Sequence, residues 1–107
     1  MKVERGTVVP VVAGGAEYVV WRGHSGCLGS APRSCPHLDT DLADGTVVGD
    51  ELVCPTHGWS FDCAGRAFKR NEFGREDDKG TVDRLALEDG GAVGDGEVTV
   101  LAAGEGR

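Results

Sequence analysis

Cys35-Pro36-His37 and, sixteen residues further on, Cys54-Pro55-Thr56-His57-Gly58-Trp59 are the two stretches around which the rest of the chain has to be arranged. Each pairs one thiol with one imidazole, two or three positions apart. Thiolates and imidazole nitrogens are the donors that soft and borderline metal centres take, so Cys35, His37, Cys54 and His57 are the candidate ligands of one centre. Pro36 and Pro55 fix φ directly after each cysteine and remove one N–H apiece, which suits a tight turn. Gly58 lets the main chain pass close to a bulky group without a side-chain clash. Between the two stretches, Gly49-Asp50 flanked by Val47, Val48, Leu52 and Val53 reads as a hairpin over 46–53 that sets the two loops side by side.

Working outward, Val is the most frequent apolar residue, and 18 glycines separate short apolar runs. That pattern is one of many short strands joined by tight turns, an all-β chain. Strands are expected near 7–12, 17–22, 27–33, 46–48, 51–53, 60–62, 66–68, 81–87 and 97–101. Ala13-Gly14-Gly15-Ala16, Gly23-His24-Ser25-Gly26, Gly49-Asp50 and Ala64-Gly65 supply the turns, and Pro10 belongs on an edge strand. No stretch of about 11 residues carries a helical period, so no substantial helix is expected. The mixed-charge segment 70–80 and the segment 90–96 read as solvated loops, and 102–107 as a frayed tail.

With 107 residues the expectation is a single domain over 1–107. A net charge of -7 argues against nucleic acid or an anionic membrane surface as partners, and fits solubility or a basic protein partner. No window approaches the roughly 18 apolar residues of a membrane span. The segment 6–16 is a poor export signal, because Pro10 interrupts it and Glu17 follows. The expectation is a cytoplasmic protein that starts at its own Met1. In that reducing setting the four cysteines point to metal or redox chemistry before disulfides. Cys27 and Cys63, with no histidine close downstream, are expected to be free thiols without a role, and His24 a solvated turn residue.

Two Cys and two His also fit structural zinc, but zinc fingers group Cys with Cys and His with His, whereas each loop here mixes them. Read in full, Cys35-Pro36-His37-Leu38 and Cys54-Pro55-Thr56-His57-Gly58-Trp59-Ser60-Phe61-Asp62 resemble the two boxes of the Rieske family. The likeness runs over 18–68, about half the chain. It implies a fold of small stacked antiparallel sheets, with cluster-binding loops at about 35–44 and 54–60 on one tip. It also implies one [2Fe–2S] cluster per chain, with Cys35 and Cys54 on one iron and His37 and His57 on the other, near solvent.

High-potential members of the family carry an extra cysteine beside each box, joined in a disulfide, and Ser and Tyr hydroxyls that donate to the cluster sulfurs. Here Leu38 and Asp39 follow His37, Pro55 and Thr56 follow Cys54, and Trp59 and Phe61 occupy the hydroxyl positions. Hydrogen bonds to sulfur stabilise the reduced, more negative cluster, so the resemblance implies a low midpoint, roughly -150 to 0 mV. The chain has three histidines. With two on a cluster, it cannot also form the two-His, one-carboxylate iron site of an oxygenase. The expected role is therefore that of a soluble ferredoxin, an electron carrier and not an enzyme, between a flavin-dependent reductase and a Rieske oxygenase. The alternative is a cluster-binding subunit or redox-sensing module of a larger complex, toward which Trp59 after Gly58 leans.

Overall fold

The computed structural model describes residues 2–34, 40–55, 59–70, 76–82, 84–89 and 97–102. Among the described residues ten strands form three antiparallel sheets. The first has the order β1-β2-β3, from β1 (Val8–Ala13), β2 (Ala16–Arg22) and β3 (Leu28–Pro32). The second is a meander of five: β4 (Thr46–Val48), β5 (Glu51–Val53), β6 (Trp59–Phe61), β7 (Arg66–Arg70) and β8 (Glu76–Thr81). The third pairs β9 (Ala86–Asp89) with β10 (Val98–Ala102). Among the described residues the one helical element is a 3-10 turn at Leu42–Asp44. The all-β expectation and the short-strand spacing hold, and Pro10 lies on β1, an edge strand.

β2 explains why three small sheets make one body. Every residue from Tyr18 to Arg22 is buried, and successive side chains of a strand point to opposite faces. Val19 and Trp21 therefore enter one apolar cluster with Ala31, Leu42, Val47, Leu52, Cys54, Phe61 and Ala67, against the five-stranded sheet. Tyr18 and Val20 enter another with Val3, Leu85 and Val98, against the two-stranded sheet. Ser30 adds a polar tie on this second side, its Oγ accepting from the Leu85 amide at 2.7 Å. Arg22, also buried, spends its guanidinium on backbone, donating to the carbonyls of Val3 at 2.7 Å and Gly26 at 2.9 Å.

Two glycine sites show the turn chemistry at work. The β1–β2 hairpin closes with Ala13 opposite Ala16, and both residues between them, Gly14 and Gly15, have positive φ, 59° and 79°. That is the backbone a two-residue hairpin of right-handed twist requires. Gly29 matters for space instead, since a Cβ there would overlap the indole ring of Trp21.

Three sequence expectations need correction. The segment 70–80 is not simply a solvated loop: 76–81 form β8, in register with β7 so that Lys69 stands opposite Asp77 and Arg70 opposite Glu76. Correspondingly, 81–87 is not one strand. β8 ends at Thr81 and β9 begins at Ala86. Cys27 and Cys63 are not free thiols either, because they form a disulfide with Cα atoms 6.3 Å apart. The β2–β3 and β6–β7 turns meet there, 36 residues apart in sequence, within the usual reach of such a bridge. His24 is exposed in its turn, as expected.

Candidate metal centre

The register of the strands sorts the connections between two ends of the molecule. At one end the β2–β3, β4–β5 and β6–β7 turns converge. The His24 amide donates to the Gly49 carbonyl at 2.8 Å, the Ser25 amide to Asp50 Oδ1 at 2.9 Å, and the disulfide joins the outer two turns. Asp50 is at the centre of this group. Its main-chain carbonyl accepts from Trp21 Nε1 at 3.2 Å, and the Ser25 hydrogen bonds hold its carboxyl below the usual carboxylate range. β3 and β5 run away from this end and β6 returns toward it, so the 34–41 and 54–59 connections both leave from the opposite end.

The first connection is closed at its stem. Ser34 and Asp41 form an antiparallel bridge, and the Leu42 amide donates to the Arg33 carbonyl at 2.7 Å. Asp41 then starts the 3-10 turn, its Oδ1 accepting from the Ala43 amide at 2.9 Å. Leu42, fully buried, anchors the return in the core. Across the stem, Arg33 Nε and Nη2 each donate at 2.9 Å to the two oxygens of Asp41. That hydrogen-bonded pairing raises the Arg33 pKa and lowers that of Asp41.

The second connection is closed by the Cys54 amide donating to the Trp59 carbonyl at 2.7 Å. Cys54 is buried in the apolar cluster that also contains Leu42, Leu52 and Phe61. Pro55 is exposed, so the chain reaches the surface directly after the thiol. Trp59 packs against Phe61 with ring centroids 6.5 Å apart, and Lys79 on β8 places its Nζ 5.8 Å from the indole centroid. Neither aromatic side chain brings a hydroxyl to this loop.

Of the four candidate ligands, Cys54 is described. Cys35, His37 and His57 lie outside the described residues. Sequence reading missed the Arg33–Asp41 pair at the stem of the first loop and, at the far end of the molecule, the Trp21 bond to Asp50 and the Cys27–Cys63 bridge. Asp41 followed by Leu42 did carry a capping signal, whereas the other two depend on long-range contacts.

Three small antiparallel sheets with two loops of mixed cysteine and histidine leaving one end are the frame of an iron–sulfur electron-transfer domain. Residues 1–82 match the family model described as the Rieske [2Fe-2S] domain, and the chain belongs to that family. It is 38% identical over 76 residues to the 5,5'-dehydrodivanillate O-demethylase oxygenase subunit of Sphingobium sp. (strain NBRC 103272 / SYK-6), covering 65% of this chain and 18% of that protein. The chain spans less than a fifth of the curated relatives it matches. Among solved structures, dicamba monooxygenase with non-heme iron and dicamba superposes with a TM-score of 0.68 at 22% identity, over 83% of this chain and 28% of the other. A chain from the complex of reduced oxygenase and oxidized ferredoxin in carbazole 1,9a-dioxygenase gives 0.67 at 24% identity, over 98% of this chain and 89% of the other. At such identities the likeness is one of fold.

The cofactor of this family is a [2Fe–2S] cluster, and the donor set fits it. Two thiols and two imidazoles match the mixed ligation of a Rieske centre, and the described donor among them, Cys54, is buried in the apolar cluster.

Proposed function

We propose that Cys35, His37, Cys54 and His57 hold the cluster, and that residues 1–107 act as one cluster-carrying unit that passes single electrons to a Rieske oxygenase after reduction by a flavin-dependent reductase. When bound, the cluster supplies a reversible one-electron couple. The chain's own residues set its surroundings: Cys54 from the core side, Leu42 and Phe61 excluding water behind it, and Trp59 shielding the second loop. The observation that carries the reading is the histidine count. Of three histidines, His24 lies exposed among the turns at the far end, so these residues provide no second iron site for oxygen chemistry. The carrier is on this reading not itself an enzyme.

A second reading, the cluster domain of an oxygenase-like assembly, is favoured by the oxygenase-subunit relative and by Trp59 following Gly58. One set of measurements separates them. Dithionite-reduced protein should give a rhombic paramagnetic signal of low average g, lost in Cys54→Ser and His57→Ala. Its midpoint should fall at roughly -150 to 0 mV. NADH with a flavin reductase should then reduce the protein, and the reduced protein should sustain turnover of an added Rieske oxygenase. Reduction without any such turnover favours the second reading.

A further inference from the structure

The Arg33–Asp41 pair has geometry beyond what a surface ion pair needs. Both its hydrogen bonds are 2.9 Å, from two different nitrogens to two different oxygens, the planar fork-to-carboxylate arrangement that fixes orientation as well as distance. Each partner is also locked through its neighbours. The Arg33 amide donates to the Glu17 carbonyl at 3.0 Å, its carbonyl accepts from Leu42, and Asp41 caps the 3-10 turn. The side chains are 34% and 38% exposed, a setting in which an ion pair adds little to global stability. Yet the pair spans the neck of the one loop that carries Cys35 and His37, starting two residues before the first and ending four after the second.

We infer that Arg33 and Asp41 form a positioning clamp that holds the first cluster loop in its ligating conformation, acting on the cluster through the loop and not through the stability of the fold. This rests on the cluster reading above. The carboxylate and the guanidinium close the neck across the seven residues 34–40, so two ligands are presented from a loop whose ends are held together. Opening the neck lets water approach the cluster. A more polar surrounding favours the more negative, reduced state, so the midpoint rises.

Charge alone makes a different forecast. Removing the positive Arg33 lowers the midpoint, removing the negative Asp41 raises it, and removing both nearly cancels. The test therefore uses Arg33→Met, Asp41→Asn and the double variant, Asn being chosen because it keeps the cap on Ala43. Three quantities are measured on iron- and sulfide-loaded protein: thermal midpoint, cluster loss under an iron chelator followed by visible absorbance, and reduction potential. The expected result is cluster loss about five-fold faster than in the wild type in each single variant, and likewise about five-fold, with no further acceleration, in the double, as for two halves of one interaction. The double variant should also show a midpoint above that of the wild type, with the thermal midpoint nearly unchanged. A double variant with the lifetime and midpoint of the wild type overturns the clamp while leaving the cluster reading intact. A wild-type chain that takes up no iron and sulfide overturns the cluster reading, and the clamp with it.

Discussion

Trp21 fills the largest fully buried site in the core and uses its one polar atom to bond the Asp50 carbonyl across the sheet interface. Truncating it leaves a cavity and an unanswered acceptor. Trp21→Ala should therefore cost about 3–5 kcal/mol, read as a fall in the urea midpoint. Val12→Ala, at a side chain 69% exposed, should stay within about 0.5 kcal/mol. Acid sensitivity also resolves to single residues. Asp41 and Asp50 are both held below the usual carboxylate range, by the Arg33 hydrogen bond and by the Ser25 amide respectively. A group whose folded pKa is depressed contributes stability that is complete above its unfolded value and lost as pH falls through the folded one. Stability should be flat from pH 7 to 5 with respect to these two groups and decline below about pH 4. Equilibrium unfolding across that range checks it, and Asp50→Asn should flatten the decline. The importance of Trp21 and Asp50 was not legible in the chain, because their contact joins residues 29 apart.

At the scale of elements, legibility followed the chemistry that defines each strand. β4 and β5 were expected at their observed bounds, since Val and Leu residues flank a Gly-Asp turn and hydrophobic pattern and turn signal agree. β8 was missed for the opposite reason. Its sequence, Glu-Asp-Asp-Lys-Gly-Thr, offers no apolar alternation, and as the last strand of its sheet it is specified by a backbone ladder to β7. Its one readable sign was that basic positions of β7 register with acidic positions of β8, a cross-strand pattern that local periodicity does not test. The residue types of the proposed site were readable, because mixed Cys and His spacing is a local property. Its scaffold was not, because the stem bridge from Ser34 to Asp41 and the Arg33 fork depend on how the chain returns.

Among the described residues two apolar clusters lie on either side of β2, and the Cys27–Cys63 disulfide joins the first sheet to the five-stranded one. Sequence reading discounted that bridge by assuming a reducing compartment, and no local signal pairs cysteines 36 residues apart. A closed loop of this length removes chain entropy from the unfolded state worth about 4 kcal/mol. Reducing it, or making Cys27→Ser with Cys63→Ser, should lower stability by about 2–4 kcal/mol in urea titrations. The paramagnetic signal of loaded protein should stay the same, since the bridge lies at the end away from both loops.

The same bridge has a topological meaning. Residues 35, 37, 54 and 57 all fall between 27 and 63, so every proposed ligand rides on one covalent ring. A protease that trims either terminus leaves that ring whole, and a single cut inside it leaves both pieces joined until a reductant is added. In the denatured chain the four donors remain confined to a small volume instead of drifting the length of an open polymer, which shortens the search by which they regather around iron.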